Sequence, residues 1–224
     1  MGNDYVLSLG GSLIVPYEID VTFLKEFKKM IDSREGRFIL VCGGGRTARS
    51  YQDAASQIEK LDESELDWIG IGATKVNAEL VRAIFGKDAF EKVITDPFEK
   101  VDFQKILVCS GWKPGRSTDY VAVQMAKNYG CGTVINMSNV NYVYDKDPKK
   151  NKGARPLHKM NYEELQKIVG TEWKPGMNAP FDPVAAKLAW EEKKKVVIMG
   201  ADLRNLKNFL EEKEFNGTVI EDES

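Results

Sequence analysis

The sequence is poor in the residues on which many catalytic and metal sites depend. Its 224 residues include one histidine, His158, and three cysteines, Cys42, Cys109 and Cys131. The cysteines are odd in number and lack metal-type spacing, so we expect neither a disulfide framework nor a zinc site. A cysteine nucleophile would need a nearby histidine, and His158 lies in a polar stretch. These features predict a reducing compartment and a cytoplasmic protein.

Long apolar runs and a strong charge of one sign are also missing. No apolar run approaches the ~20 residues of a membrane span, and the first residues lack the design of a signal peptide. The formal net charge of −2 gives no general attraction to nucleic acid or to an anionic membrane. The lysine clusters at 149–152 and 193–195 are explained at least as well by solvated faces. We therefore expect neither a nucleic-acid partner nor a membrane.

Two common nucleotide-binding fingerprints are absent as well. Without Gly, four residues and Gly-Lys-Ser/Thr a P-loop enzyme is disfavoured, and without Gly-x-Gly-x-x-Gly a hydride-transfer role loses most of its support. The chain contains a different glycine-rich segment, in which an apolar run ends in Gly43-Gly44-Gly45 and is followed by Arg46 and Arg49.

This glycine-rich segment has the chemistry of a phosphate site. Three successive glycines let backbone N–H groups approach an anion without a Cβ in the way. The helix that follows presents its N-terminus to the same place, and Arg46 and Arg49 can make bidentate contacts with phosphate oxygens. The alternative, a tight turn that needs positive φ, accounts for one glycine but poorly for three followed by arginine. We therefore interpret the segment as a phosphate cradle.

Apolar runs of strand length alternate with helical patterns along the whole chain. The predicted strands are 5–9, 37–42, 92–95, 105–109, 133–137, 196–199 and 218–220, with the last at a sheet edge and a small hairpin arm at 142–144. Helices are predicted after Asp20, over 47–59 and 65–85, after Ser117 or Thr118, after Asn161, after Asp182 and after Asp202, with a loop at 170–180. This order predicts an α/β fold with a mostly parallel sheet and helices on both faces.

Two of the helices carry apolar residues on one side. In the helix 47–59 they are Ala48, Tyr51, Ala55 and Ile58. In the helix 65–85, which Ser64 can cap, we expect the apolar residues to point inward, and they are Ile69, Ala73, Val76, Leu80, Val81 and Ile84.

Glycine or polar residues follow four of the predicted strands. They are Gly10-Gly11-Ser12, Gly43-Gly44-Gly45, Ser110-Gly111 and Ser138-Asn139. In parallel sheets, ligands bind beyond the carboxyl ends of the strands. Two separate glycine loops at that edge indicate two anion sites, which a phosphoryl transfer between two substrates requires.

Six short segments, in order along nearly the whole chain, resemble the amino-acid kinase family, and within it the archaeal-type uridylate kinases. They are Gly10-Gly11-Ser12, Gly43 to Arg49, Pro114 to Asp119, Ser138-Asn139-Val140, Tyr144 to Pro148 and Phe181 to Lys187. The resemblance implies an open αβα sandwich in a single domain, 1–224, with an acceptor lobe at 1–130 and an ATP-binding lobe at 131–224. It also implies a homo-oligomer and points to a hexamer.

The activity that the resemblance implies is direct in-line transfer of the γ-phosphoryl group from ATP to UMP. Magnesium would arrive with ATP, and its ligands would be mainly phosphate and water, with no protein metal site. The implied UMP-binding residues are Gly44, Gly45, Arg49, Asp67, Ser110 and Thr118. The implied ATP-binding residues are Gly10, Gly11, Ser12, Ser138, Asn139, Tyr144, Asp147 and Pro148, and the implied catalytic residue is Asp119. We add Arg116 as a catalytic candidate, because its positive charge lies in the loop before Ser117.

Simpler interpretations exist for several of these residues. From the residues alone, Asp67 is better explained as a first-turn helix carboxylate, and for Asp119 that explanation is as good as the catalytic one. Asp182 and Lys187 lie in the matching C-terminal motif, but Lys187 could equally be a solvated helix lysine.

The chain departs from the family pattern at two places on the donor side. Ser8 stands where many members have lysine, and Asn141-Tyr142 stands where the usual sequence is Asp-Gly. Lys113 or Arg116 could supply the missing positive charge. Two other functions remain open: a regulatory or storage nucleotide-binding protein, and another small-phosphate kinase such as isopentenyl phosphate kinase. The latter uses a histidine near its acceptor phosphate, whereas His158 lies in a different segment.

Overall fold

The computed structural model describes residues 4–172 and 179–222. The central part of the predicted loop 170–180 lies outside the described residues. The strands are β1 (Asp4–Leu9), β2 (Arg37–Cys42), β3 (Ile106–Cys109), β4 (Thr133–Met137), β5 (Val143–Tyr144), β6 (Pro156–Leu157), β7 (Lys159–Met160), β8 (Lys195–Met199) and β9 (Thr218–Ile220). The helices are α1 (Gly11–Ile14), α2 (Val21–Asp32), α3 (Gly45–Ile58), α4 (Glu63–Phe85), α5 (Thr118–Tyr129), α6 (Tyr162–Val169), α7 (Pro183–Glu191) and α8 (Leu203–Leu210), with a short 3-10 helix at Gly86–Asp88.

Seven strands form one sheet in the order β3-β2-β1-β4-β8-β9-β7. The first five are parallel, β9 runs antiparallel to β8, and β7 pairs with β9 in parallel. The predicted α/β fold with a mostly parallel sheet is therefore confirmed. The hairpin arm is also present, as the antiparallel pair β5–β6.

Two strand predictions were wrong in detail. The segment 218–220 does not lie at the sheet edge, because the two-residue strand β7 covers it on the outer side. The segment 92–95 contributes only an isolated bridge between Ile94 and Cys109. Asp96-Pro97 follows immediately, and proline cannot continue a ladder of hydrogen bonds.

The strands of the central sheet are buried on both faces, so their side chains divide between two apolar cores. Along β2, Phe38 and Leu40 point to one core, while Ile39 and Val41 point to the other, as the period of two requires. Helices α2, α4 and α8 contribute to the first core, and α5, α6 and α7 to the second. The result is a three-layer αβα arrangement.

The cap of α4 differs from the prediction. Asp62, not Ser64, accepts a hydrogen bond from the Glu65 N–H at 2.8 Å, and the Glu65 side chain accepts one from the Asp62 N–H at 3.1 Å. This reciprocal capping box starts the helix two residues earlier than expected. The expected caps of the helices after Asp20, Ser117, Asn161, Asp182 and Asp202 are confirmed.

The predicted inward face of α4 is confirmed in part. Ala73 and Val81 are buried and Leu80 and Ile84 pack against the first core, whereas Val76 is 65% exposed. The buried residues of α4 are Ile71, Ala73, Thr74, Asn77, Ala78, Val81 and Phe85. Thr74 and Asn77 were missed because the periodicity of apolar residues does not count polar ones.

Helix α3 buries none of its residues, and Tyr51 and Ile58 are 68% and 85% exposed.

None of the helices among the described residues combines the length and the apolar character that a membrane span requires.

Candidate active site

The four glycine or polar segments after the strands lie at one edge of the sheet. Strands β3, β2, β1 and β4 are neighbours in this order and run parallel, so their carboxyl ends meet there. The predicted convergence of Gly10-Gly11-Ser12, Gly43-Gly44-Gly45, Ser110-Gly111 and Ser138-Asn139 is therefore confirmed.

The sequence predicted two separate glycine loops, but in the structure the two loops pack backbone against backbone. A Cβ on Gly11 would lie 1.9 Å from the Gly45 nitrogen, and one on Gly43 would lie 2.5 Å from the Gly11 nitrogen. Gly45 also adopts a φ of +61°, which favours glycine. Close approach thus explains part of the glycine content without a ligand. It also brings the two predicted anion sites side by side.

The helices that begin in these loops differ from the others at their N-termini. Helix α1 follows Gly10 and α3 follows Gly44, and neither has a side-chain cap. The other six α-helices among the described residues are capped by the side chains of Asp20, Asp62, Ser117, Asn161, Asp182 and Asp202. In the first turn of the fourteen-residue α3, the Arg46 N–H donates to the Val15 carbonyl at 3.0 Å. The N–H groups of Gly45 and Thr47, which have no partner among the described residues, are available to an anion. Arg46 and Arg49 are exposed beside them.

Two buried polar side chains of α4 hold the loops on the acceptor side. Asn77 Nδ2 donates hydrogen bonds to the carbonyl oxygens of Gly43, at 2.8 Å, and Gly44, at 3.1 Å. Thr74 Oγ1 accepts a hydrogen bond from the Gly111 N–H at 2.8 Å. The sequence analysis missed both residues, although polar residues on the buried side of a helical pattern could have indicated them.

Asp67 holds a third loop from the same helix. Its Oδ2 accepts a hydrogen bond from the Gly115 N–H at 2.7 Å. Partial burial raises the pKa of Asp67, while the bond from Gly115 opposes that shift. Because α4 begins at Glu63, Asp67 lies beyond the first turn, so its interpretation as a first-turn carboxylate was wrong.

Asp119 contacts the neighbouring strands β1 and β4 near their carboxyl ends. Its Oδ1 accepts hydrogen bonds from Ser8 Oγ at 3.0 Å and from Asn136 Nδ2 at 2.8 Å, and its Oδ2 accepts one from the Asp182 N–H at 3.3 Å. Burial, followed by the negative charge of Asp182, raises the pKa of Asp119 to about 7. Asp119 does lie in the first turn of α5, but its side chain binds β1 and β4 as well.

Asp182 joins the N-termini of two helices. It caps α7 by accepting a hydrogen bond from the Val184 N–H at 2.7 Å, and it accepts another from Ser117 Oγ. Ser117 in turn caps α5 by accepting from the Tyr120 N–H at 3.2 Å. Burial raises the pKa of Asp182. Two carboxyl groups with raised pKa values, those of Asp119 and Asp182, therefore lie next to each other. Shifted pKa values of this kind are common at functional sites.

Of the two cations that could replace the missing lysine, Arg116 is the nearer to these carboxyl groups. Its charge lowers the pKa of Asp182, its Nη1 donates to the Gly115 carbonyl at 2.8 Å, and its guanidinium lies 4.9 Å from the Tyr120 ring centroid. Its buried Nε has no hydrogen-bond partner among the described residues. Lys113 instead lies over the Trp112 ring, 4.0 Å from its centroid.

The other predicted acceptor residues flank this network. Ser110 is buried, and its hydroxyl donates to the Gly111 carbonyl at 3.1 Å. Thr118 is half-buried and is the first residue of α5. Lys187 is 68% exposed and lies 3.9 Å from Glu191, which agrees with the interpretation as a solvated helix lysine.

Apart from Gly10, Gly11 and Ser12, the predicted donor residues lie beyond β4 and along the hairpin arm. Ser138 Oγ accepts from the Val140 N–H at 3.2 Å, and Asn139 is exposed. Tyr144 is in β5, and its ring lies 6.3 Å from that of Tyr142. Asp147 and Pro148 are exposed in the turn of the arm, where Asp147 accepts a hydrogen bond from the Lys149 N–H.

The two substituted positions on the donor side contact the end of the sheet. A Cβ on Gly200, directly after β8, would lie 1.9 Å from Asn141 Oδ1, so the amide of Asn141 covers that glycine. The Tyr142 hydroxyl donates to Asn216 Oδ1 at 2.9 Å. Asn141 is exposed and Tyr142 is half-buried, so the two side chains lie on the surface of the protein at places where a nucleotide could otherwise approach the backbone.

A cavity of about 1120 Å³ lies at the opposite edge of the sheet, beside the first residues of β1, β2, β4 and β8. Most of its charges are paired within the protein: Arg37 with Asp4, Lys195 with Glu221 and Lys213 with Glu211. Because the strand ends, the uncapped helix and the paired carboxyl groups are at the other edge, we place the candidate active site there.

Comparison with known proteins agrees with this geometry. The sequence model described as Amino acid kinase family matches residues 5–200. The chain is 34% identical to a uridylate kinase of Thermoplasma volcanium over 228 residues, which cover 100% of both chains. It is 35% identical to a uridylate kinase of Pyrococcus abyssi over 201 residues, 87% of this chain and 89% of that one.

Solved structures give the same result. The structure of uridylate kinase from Archaeoglobus fulgidus superposes with a TM-score of 0.82 at 32% identity, covering 96% of this chain and 99% of that one. UMP kinase from Bacillus anthracis shares the fold, with a TM-score of 0.75 at 21% identity over 99% and 97% of the two chains. The chain belongs to the amino acid kinase family.

Proposed function

We propose that the chain is a UMP kinase, which transfers the γ-phosphoryl group of ATP to UMP and yields UDP. The observation that carries this function is the contact between two glycine loops, one of which begins the uncapped helix α3. A donor and an acceptor phosphate bound at these loops would lie side by side, as in-line transfer requires. Relatives described as uridylate kinases match over the whole chain, which supports UMP as the acceptor.

On the acceptor side, the phosphate of UMP binds at the N-terminus of α3. The N–H groups of Gly44 and Gly45 and the guanidinium of Arg49 hold its oxygens. Asp67 accepts hydrogen bonds from the ribose hydroxyls, and Ser110 and Thr118 border the phosphate. An oxygen of this phosphate then attacks the γ-phosphorus, and the bond from that phosphorus to the β,γ-bridging oxygen breaks. No catalytic histidine or cysteine is needed, because UMP brings its own nucleophile.

On the donor side, the ATP phosphates face Gly10, Gly11 and Ser12, and Arg116 neutralises developing charge near Asp119. The nucleotide is bordered by Ser138, Asn139, Tyr144, Asp147 and Pro148. In this proposal residues 1–130 are the acceptor lobe and residues 131–224 are the ATP-binding lobe. The acceptor lobe also supplies Gly10, Gly11, Ser12 and Arg116 to the phosphates of ATP.

Magnesium accompanies ATP in this proposal. Among the described residues no group of three or more His, Cys, Asp or Glu side chains could hold a metal ion. We propose that the ion is bound mainly by phosphate and water rather than by the protein alone. When bound, the ion offsets charge on the phosphate oxygens, and the Asp119 carboxylate orients the cationic groups around it.

We also propose a cytoplasmic homo-oligomer, with a hexamer as the state that the family resemblance implies. The exposed apolar residues of α3 and α4 support an interface, since Ile58 is 85% exposed and Trp68 is 53% exposed. Light scattering tests this: Ile58→Glu lowers the mass of the assembly relative to the unmodified protein, whereas Lys60→Glu serves as the matched control. If the unmodified protein is itself a monomer, the proposal is contradicted.

The activity is tested by following ADP release from MgATP with UMP, CMP, isopentenyl phosphate and carbamate in parallel. UMP kinase predicts the fastest release with UMP. Release with isopentenyl phosphate alone identifies another small-phosphate kinase. Tight binding of nucleotides without turnover on any acceptor identifies a regulatory or storage protein, a function that the side chains of Ser8 and Asn141 would favour.

A further inference from the structure

Ser8 and Asn136 form a polar pair across two neighbouring strands. Ser8 of β1 and Asn136 of β4 are register partners, so their side chains point to the same face of the sheet. They are 2% and 5% exposed, and the residues that precede and follow each of them in its strand are buried and apolar. Buried polar groups are costly unless they are hydrogen-bonded, so the pair needs a common partner.

That partner is a single oxygen of Asp119. Ser8 Oγ and Asn136 Nδ2 both donate to Oδ1, at 3.0 and 2.8 Å. Within the described part of the chain, the second oxygen, Oδ2, receives only the longer bond of 3.3 Å from the Asp182 N–H. Two short bonds to one oxygen, from strands that cannot move apart, fix the rotation of the carboxylate. They leave Oδ2 the less satisfied of the two oxygens.

We propose that Ser8 and Asn136 are positioning residues that hold the Asp119 carboxylate through Oδ1 and leave Oδ2 available to the reacting groups. The inference rests on the proposed function, in which Asp119 lies at the active centre.

The pair also orients the Asp119 carboxylate in a chain that has serine rather than lysine at position 8. A neutral hydroxyl and a neutral amide orient a carboxylate, but they do not cancel its charge as an ammonium group would. Among residues 4–172 and 179–222, the charged neighbours are Asp182, which raises the pKa of Asp119, and Arg116, which acts on Asp182. The Ser8 and Asn136 bonds lower the pKa of Asp119 without overcoming burial and Asp182. Asp119 is thereby left with a pKa of about 7.

The test compares Ser8→Ala, which removes the donor, with Ser8→Thr, which keeps the hydroxyl. In the pH profile of kcat, Ser8→Ala and Asn136→Leu move the acid limb to higher pH by about one unit, because each loses a hydrogen bond to a charged group. The plateau falls on the order of tenfold as the carboxylate loses its orientation. Ser8→Thr restores most of the loss. Ser33→Ala, at the end of α2, is the matched control. A Ser8→Ala profile that superimposes on that of the unmodified protein overturns the proposal.

A second measurement does not depend on turnover. The carboxyl carbon of Asp119, assigned by comparison with Asp119→Asn, is titrated by NMR in the unmodified protein and in both Ser8 variants, after thermal unfolding has shown that they fold. An upward shift in Ser8→Ala alone supports the positioning role even if the protein does not phosphorylate UMP, in which case the proposed function fails. An active enzyme whose Asp119 titration ignores Ser8→Ala contradicts the positioning role alone.

Discussion

The acceptor side and the donor side of the candidate active site are held in place by different parts of the protein. On the acceptor side, Asn77, Thr74 and Asp67 of one helix, α4, hold three loop positions by direct hydrogen bonds. On the donor side, the segment after β4 is attached mainly near the end of the chain, where the Val143 N–H donates to Thr218 Oγ1 at 2.9 Å and Tyr142 binds Asn216. One long helix can hold several loops in a fixed relation, so the acceptor cradle is the more preorganised half.

The charges differ in the same way. The proposed acceptor site has two exposed arginines, Arg46 and Arg49, beside an uncapped helix N-terminus. The donor side has the neutral residues Ser8 and Asn141 at two positions where the family pattern is charged. Substitutions on the acceptor side should therefore change the requirement for UMP, and substitutions near Asp119 should change turnover.

The largest expected effect separates the two substrates. Arg49→Ala removes charge-assisted hydrogen bonds worth about 1.5–3 kcal/mol, so the KM for UMP rises roughly tenfold to a hundredfold. The KM for ATP changes much less, because Arg49 lies on the acceptor side. Steady-state kinetics with each substrate varied in turn measures both values. Arg204→Ala is the control, because the Arg204 side chain is exposed on α8. Equal effects on both KM values would show that the acceptor site is wrongly placed.

The next effect concerns the donor half. Arg116→Ala removes the cation nearest Asp182, and we expect turnover to fall by roughly tenfold or more, a barrier increase of ~1.4 kcal/mol. Lys113→Ala is the matched control, because Lys113 lies over Trp112 in the same loop. An unchanged turnover number in Arg116→Ala would remove this residue from the mechanism.

A pair of buried asparagines gives a smaller effect. Asn77 holds the acceptor glycine loop, while Asn205 of α8 makes two hydrogen bonds of 2.6 Å with the backbone of Asn216 on the donor side. Asn77→Leu leaves a buried backbone carbonyl unpaired and lowers the free energy of unfolding by about 1–3 kcal/mol. The loss in Asn205→Leu is smaller, because Asn216 is exposed and water can replace the lost bonds. Denaturant unfolding checks this loss. Only Asn77→Leu should also raise the KM for UMP; an equal rise in Asn205→Leu would contradict the division into halves.

The smallest expected effect is on stability as a function of pH. Because the pKa of Asp119 is raised to about 7 from its ordinary value of 3.8, the folded state holds the proton more tightly than the unfolded chain. The contribution of Asp119 to stability is therefore present at low pH and is lost as the pH rises from about 4 to about 7.

Asp119→Asn removes this titration. The unfolding free energy of the variant, relative to that of the unmodified protein, should accordingly increase by about 1 kcal/mol or more between pH 5 and pH 8. Urea unfolding at both pH values measures the difference. A constant difference across this range would mean that Asp119 is not held at a raised pKa.

Local chemistry predicted much of the fold. Alternating apolar runs predicted the strands, and side chains such as Asp20, Asn161 and Asp182 predicted the helix starts, because caps and strand patterns are properties of neighbouring residues. The cap of α4 was assigned to the wrong residue, since Asp62 and Ser64 both have capping chemistry and only the structure shows which one reaches Glu65.

The site could be predicted only where its chemistry lies in one segment. The strand-end loops were recognised, but Asn77, Thr74 and Asn136 were not, because their partners lie far away in sequence. The exposure of Tyr51 and Ile58 was likewise hidden, since an apolar stripe has the same pattern whether it faces the sheet or another surface. The contact between the glycine loops depends on β1 and β2 being neighbours, which is a property of the whole topology.

The central claim is that the glycine loop at the start of α3 holds the phosphate of the acceptor. A crystal structure of the protein with UMP bound tests this directly. The account predicts that the UMP phosphate lies within hydrogen-bond distance of the Gly44 and Gly45 N–H groups and the Arg49 guanidinium, with the ribose at Asp67. A UMP phosphate bound instead at Gly10-Gly11-Ser12 would contradict it.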